Sequence, residues 1–416
     1  MPLSSLPNAG GLRAGLGRLV DTEGVTGLSF DHETLPQRVA LERGGAASRV
    51  AGEVARLGAQ RIMVIASDSG PTLDSQPTLD SEPTLDSEPT LDSQPTLVDR
   101  VTSGLPVALR WREVRQHVPV ELVERARAAA AEAAVDAIVT VGGGSTTGLG
   151  KAVAMTSGLP IVAVPTTYAG SEATPVWGLT EGRVKRTGVD PRVLPVAVVY
   201  DSELSTSLPV DLSVASGLNA LAHCVDSLWA PHADPINRAL GLEAARALAE
   251  GLPLVVDDPT GAPGRDQALY GCYLAAVAFA SAGSGMHHKI CHVLGGAYDL
   301  PHAQTHAIVL PHVLAHIAPA VPLLAARLAA ALGQPVADAR TGPVAAVDAL
   351  AALYDRLEAP RALRDHGLAE GDLADAVERC LPAIPESNPA PVTTESVSEL
   401  LHAAWAGLPA TARSDR

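Results

Sequence analysis

The chain has few large rings: aromatic residues make up 3% of 416, with two Phe, four Trp and six Tyr. Hydrophobic residues nonetheless reach 47%, so the core is expected to be Ala, Val and Leu. Positive charge is also scarce, with 30 Lys+Arg against 46 Asp+Glu and a formal net charge of −16. Nucleic acid and anionic membranes need basic surfaces, which excludes both as partners. A small anionic substrate stays open, because a local cationic pocket can sit in an acidic protein. Cys224, Cys272, Cys291 and Cys380 share no CxxC spacing, which argues for free thiols in a reducing cytosol rather than disulfides. No uncharged apolar run is long enough to span a membrane. Residues 1–25 contain no continuous apolar stretch of signal-peptide type and read as a disordered extension.

A chain of this length exceeds one ordinary core, so two domains are expected. Residues 28–31 and 37–41 read as short strands, and Ala47 to Leu57 as a helix. Arg61 to Ala66, Val107 to Trp111, Ala137 to Val141 and Pro160 to Pro165 read as strands. Glu121 to Ala134 reads as another helix, and a third starts by Gly148. This alternation predicts a parallel α/β sheet over residues 26–208. From residue 209 onward, Ala/Leu-rich segments predict an all-helical second domain. Between the first two buried strands, Pro-Thr-Leu-Asp-Ser repeats from Pro71 to about residue 96. A proline in each six-residue copy blocks helix and central strand, so the repeat reads as an extended acidic loop.

Two groups of residues carry chemistry. Gly142, Gly143, Gly144 and Ser145, with Thr146, follow a buried strand and open a helix. Backbone N–H groups there approach a diphosphate closely and the helix N-terminus favours negative charge. Thr166 and Thr167 follow the next strand and sit where a nucleotide crevice is expected. The second group is a histidine series. His288 and His292 are one helical turn apart, and His302 follows a Gly-Gly break. Asn219 and His223 repeat the same spacing about seventy residues earlier. Imidazoles at i and i+4 on two helices are how a helical bundle builds a cation site. Cys291 beside His292 does not make a nucleophile pair, since sequence neighbours point to different helix faces.

The motifs GGGSTTGLGK, PTTYAGSEATPVWGLTEGRVKRTG, MHHKICHVLGG and NPAPVT resemble the iron-containing alcohol dehydrogenase family, and within it the maleylacetate reductase branch. The resemblance covers most of the chain from about residue 28, apart from the repeat. It implies an NAD(P)-binding α/β domain, a helical catalytic domain, a cleft between them and a cytoplasmic homodimer. It also implies that cofactor choice is set just after the strand Arg61 to Ala66, where the Asp68 carboxylate can bind a ribose 2′-hydroxyl and repel a 2′-phosphate, which favours NADH and leaves NADPH open. Metal-binding members use an Asp and three His, and the matching positions are Asn219, His223, His288 and His302. A neutral first ligand and Gly148 in place of the family's loop Asp are departures shared by the branch, so no metal is expected.

The implied reaction reduces the conjugated C=C bond of maleylacetate, a small dicarboxylate, to 3-oxoadipate in bacterial aromatic degradation. Hydride delivered to the alkene carbon remote from the ketone gives an enolate whose charge hydrogen-bond donors can stabilise. His223, His288, His292 and His302 are the candidates for donor and acid. Lys185, Arg186, Lys289 and His287 are candidates for the substrate carboxylates, and Tyr168 for a residue closing over substrate. Helix geometry turns His287 and Lys289 away from the 288/292 face, while His306, His312 and His316 read as structural. A second reading is a metal-dependent alcohol dehydrogenase with Fe or Zn on the same residues.

Overall fold

In a computed structural model, residues 30–67, 96–181 and 184–412 are described. The 1–25 extension, the proline repeat and Asp68 lie outside the described residues.

Short runs of β-branched residues bounded by turns form the first half of the molecule. Strands and helices alternate as β1 (Arg38–Leu41), α1 (Ala46–Leu57), β2 (Ile62–Ala66), α2 (Leu97–Val101), β3 (Val107–Trp111), α3 (Val120–Glu132), β4 (Ala137–Gly142), α4 (Gly144–Ser157) and β5 (Ile161–Pro165). The antiparallel pair β6 (Val176–Glu181) and β7 (Val184–Val189) follows, then β8 (Ala197–Tyr200). Six strands pair in parallel in the order β1-β8-β5-β4-β2-β3. Every residue of β2 and β5 is buried, as expected of strands covered on both faces. Alternation divides the faces: Ile62, Val64 and Val139 pack with Val50 and Val54 of α1. Met63, Ile65 and Ile138 pack with Leu122 of α3 and Leu149 of α4. The chain runs from β2 out to β3 and returns as β4 on the other side of β2. That reversal opens a crevice at the strands' carboxyl ends.

The second half is helical: α5 (Val210–Ser227), α6 (Pro235–Asp257), α7 (Ala262–Ala282), α8 (Met286–Tyr298), α9 (His302–Ile317), α10 (Pro322–Ala331), α11 (Gly342–Leu357), α12 (Leu373–Cys380) and α13 (Thr394–Ala406). α5 is buried without interruption from Ser213 to Ser227, so it is the central helix around which the others pack. Its polar residues Asn219, His223 and Asp226 are therefore placed inside the core.

Three local expectations are corrected. Residues 30 and 31 are not in a strand, and the segment up to residue 37 is irregular. The helix expected by Gly148 begins at Gly144, so the glycine loop itself supplies its first turn. The Val-Lys-Arg-Thr-Gly segment is strand β7 rather than a turn, because Trp177 and Gly188 face each other across a hairpin.

Candidate active site

The strand β4 runs straight into α4 through Gly142 and Gly143. Gly142 adopts φ +152, and a Cβ there would lie 2.5 Å from Thr146 Oγ1, so only glycine makes this turn without strain. A Cβ on Gly150 would lie 2.5 Å from the Thr140 methyl group, which lets α4 lie close on the sheet. No side chain caps the N-terminus of α4, leaving its first N–H groups for an anionic ligand. Gly144, Ser145 and Thr167 line the cleft cavity. Gly142, Gly143, Thr146 and Thr166 shape the loops around them: Thr166 N–H donates to Gly142 O at 3.1 Å, and Thr146 is buried.

That cavity, of about 370 Å³, has its opposite wall in the helical half, where His223, His288, His292 and His302 all face it. Three helices deliver them: α5 carries His223, α8 carries His288 and His292, and α9 starts at His302. The His223 and His288 rings stack at 4.8 Å, and Phe279 of α7 packs against both at 4.8 and 4.3 Å. Asn219 is buried one turn before His223, and its Oδ1 has no hydrogen-bond partner.

Behind this wall lies a carboxylate that sequence reading missed. Asp226 is fully buried, and its Oδ2 accepts from His288 Nδ1 at 2.8 Å and from Gly285 N–H at 2.9 Å. It thereby caps the start of α8 and holds the His288 ring with Nε2 unpartnered. Carboxylate–imidazole pairs of this kind fix the tautomer and orientation of metal-ligating histidines. A lone Asp in an Ala/Leu-rich helix carries no sequence signal; its spacing of three from His223 was the only available one.

Burial pushes Asp226 up to about 7. It lowers His223 and His287 to about 3, with repulsion from neighbouring imidazoles adding to the effect. His288 and His306 fall well below the usual imidazole range for the same reasons. These four rings are neutral near pH 7, and the N–H of His288 is committed to Asp226. His287 packs away from the cavity, its Nε2 at 3.1 Å from His306 Nδ1. The His306 ring in turn lies 4.3 Å from that of His302. His306 is therefore part of the histidine cluster, whereas His312 stands apart from it and is also buried.

The remaining candidates divide. Tyr168 does not reach the cavity: it is 0% exposed, and its hydroxyl accepts from the buried Arg265 at 3.1 Å. The expectation that it closes over substrate is corrected, since it stitches the nucleotide-side loop to α7. Arg186 is exposed and paired with Glu181 at 2.9 Å, so it does not enter the cavity. Lys185 lies on β7, and its side chain is outside the described residues. Lys289 lines a neighbouring cavity. Gln116, His117, Trp177, Phe279, Ser284 and Gln304 are also among the walls of the main cavity; Trp177 lies within a quoted motif, but nothing in the sequence singled it out as a wall residue.

Comparison with known proteins gives concordant results. Residues 87–202 match the model of iron-containing alcohol dehydrogenase, and residues 213–405 match that of the Fe-containing alcohol dehydrogenase family, C-terminal. Maleylacetate reductase of Sphingobium indicum is 40% identical over 92% of this chain and 99% of its own. Maleylacetate reductase 2 of Cupriavidus pinatubonensis is 46% identical over 70% and 79%. Among solved structures, an iron-containing alcohol dehydrogenase from Corynebacterium glutamicum aligns with TM-score 0.81 at 50% identity, covering 92% of this chain and 98% of that one. Maleylacetate reductase from Agrobacterium tumefaciens aligns with TM-score 0.79 at 36% identity, covering 92% and 99%.

These matches correct the expectation of a site without metal, because both matched models are of iron-containing enzymes. The residues present fit such an ion. Asn219 keeps an oxygen donor although it loses the charge of an Asp. Its Oδ1, His223 Nδ1 and His288 Nε2 are buried and have no protein partner, and imidazole nitrogens suit iron.

Proposed function

Since the chain belongs to the iron-containing alcohol dehydrogenase family, we infer that it is an NAD(P)H-dependent oxidoreductase that reduces the conjugated C=C bond of maleylacetate to give 3-oxoadipate. The observation that carries this reading is the match to maleylacetate reductase over 99% of that enzyme's length. The division of labour is between a nucleotide-binding part up to residue 208 and a helical catalytic part from 209 onward.

The uncapped start of α4 and the backbone of Gly144 and Ser145 bind the cofactor's diphosphate, with Thr167 beside them. The nicotinamide then lies against the histidine wall, and hydride passes to the alkene carbon remote from the ketone. Negative charge collects on the ketone oxygen as an enolate, within a cavity whose buried groups are already oriented. His288 presents Nε2 without a proton, so it does not act as the acid. His292 lines the cavity and lies outside the Asn219, His223, His288 and His302 quartet. It is the candidate that protonates the carbon next to the ketone. Asn219, His223, His288 and His302 would hold the iron, which when bound supplies Lewis-acid polarisation of a carbonyl oxygen.

Two exposed apolar residues on the outer strand β1, Val39 (46%) and Leu41 (41%), support pairing with a second copy as a homodimer. Among the described residues no single helix is long and apolar enough to cross a membrane. A role in aromatic degradation is consistent with that substrate, and four buried free cysteines support a reducing, cytoplasmic setting.

The test is oxidation of NADH and of NADPH by the metal-loaded protein, with maleylacetate, simple ketones and aldehydes as alternative acceptors. Turnover of maleylacetate to 3-oxoadipate supports the reading. Turnover of simple ketones or aldehydes alone would instead make the chain an alcohol dehydrogenase.

A further inference from the structure

The proposed substrate carries two carboxylates, yet no Lys or Arg is among the described residues lining the histidine cavity. The whole chain has only three lysines, Lys151, Lys185 and Lys289. Lys151 is fully buried beneath β6, where its ammonium donates to Ser171 O, Thr174 O and Val176 O. Lys185 lies on the hairpin strand β7. The Lys289 ammonium, unlike that of Lys151, has no ion pair or hydrogen bond among the described residues, and it lines a second cavity of about 510 Å³. The walls of that cavity are otherwise mainly apolar, formed by the hairpin, the end of α7 and residues 382–385. Val176, Phe279 and Ser284 belong to both cavities, so the two adjoin across the Phe279 ring that packs on His223 and His288.

We propose that this second cavity is the subsite for the substrate carboxylate farther from the nicotinamide, with Lys289 as its counter-ion. The assignment rests on the maleylacetate reading above. The carboxylate on the hydride-accepting carbon must stay on the nucleotide side, next to the glycine loop. The other carboxylate projects from the ketone toward the helical half, where Lys289 lies. In a protein of net charge −16, an unpaired ammonium beside a low-dielectric wall also focuses the field that draws a dianion inward. An ammonium–carboxylate hydrogen bond in such a place is worth about ten- to hundredfold in binding.

The experiment compares maleylacetate with 4-oxopent-2-enoate, which keeps the enone and the near carboxylate but lacks the far one. In the parent protein the ratio of kcat/KM for the dicarboxylate over the monocarboxylate is expected to be large. In Lys289→Gln it falls about ten- to hundredfold, and Lys289→Arg recovers most of it. An unchanged ratio in Lys289→Gln overturns the subsite while leaving the proposed reaction standing. Failure of the parent to turn over maleylacetate at all removes the reading and the subsite together. A second measurement needs no variant: amine-labelling rates of the three lysines, read by peptide mass, with and without the unreactive dicarboxylate adipate. Protection of Lys289 by adipate but not by butyrate supports the proposal. Equal labelling in both contradicts it.

Discussion

Two buried polar clusters, one in the sheet half and one in the helical half, are satisfied to opposite degrees. On the sheet side, the Lys151 ammonium is surrounded by acceptors, with three backbone carbonyls at 2.5 to 2.8 Å. Its neighbour Glu172 is also buried and accepts from Tyr200 Oη at 2.7 Å. On the helical side, Asn219 Oδ1, His223 Nδ1, His288 Nε2 and His306 Nε2 are all buried without a partner. Folded proteins rarely leave several such groups unsatisfied in one place. The contrast separates a polar cluster that holds the structure together from one kept open for a ligand or an ion.

Removing a member of each cluster should therefore produce different failures. The largest expected effect is on rate: His292→Ala lowers kcat for maleylacetate by about two to four orders of magnitude, the usual contribution of a positioned acid. Its unfolding midpoint in urea should stay near that of the parent. Lys151→Met does the reverse. It removes the buried ammonium that donates to Thr174 O and Val176 O and the positive charge near Glu172, which costs about 1–3 kcal/mol of stability, measurable by chemical denaturation. A stability loss in His292→Ala as large as that in Lys151→Met would erase the distinction between the clusters.

Asp226→Asn sharpens the comparison, because Asp226 joins the open cluster to the fold. Loss of the carboxylate behind His288 should weaken iron or cobalt binding about ten- to hundredfold. This is read from metal titration of the chelator-stripped protein. Asp226→Glu serves as the control that retains charge, and the unfolding midpoint of each metal-free variant reports the separate cost of uncapping α8. Equal affinity in Asp226→Asn and the parent would show that His288 needs no orientation by this carboxylate.

The smallest effect is a slope. Burial lowers Lys151 from 10.5 to about 7. Between those values the unfolded lysine keeps a proton that the folded one has released, so the unfolded state binds more protons and stability rises with pH. That contribution is complete above 10.5 and is lost as pH falls through about 7. Glu172, raised by burial, contributes with the opposite sign, present below its unfolded value and lost as pH rises through its folded one. Unfolding free energies of the parent from pH 7 upward, set against those of Lys151→Met, isolate the lysine slope. A flat difference would mean that the carbonyl cage keeps the ammonium charged throughout.

How much of this could be read beforehand depended on whether a pattern was local. Strands β2, β4 and β5 were legible because burial on both faces makes them continuous apolar runs. The hairpin of β6 and β7 was not, because its alternation is broken by Gly178, Thr180 and Gly188 and looks like a turn. The glycine loop and the His288/His292 spacing were visible as periodic signals, and the structure brings His223 and His302 to the same cavity. Asp226 and Phe279 were invisible, since their roles depend on helix crossings and not on any neighbour in sequence. The adjacent positions 287, 288 and 289 show the limit most directly. One turns to His306, one to the cavity and one to the second pocket, and helical phase alone distinguishes only the first step of that.

The most direct test of the account follows deuterium from a nicotinamide carrying it at the transferable position, with maleylacetate as acceptor. The expected product is 3-oxoadipate with one deuterium on the former alkene carbon remote from the ketone, and the ketone intact. Deuterium on a carbinol carbon, with the C=C bond retained, would contradict it and show that the histidine wall serves carbonyl reduction instead.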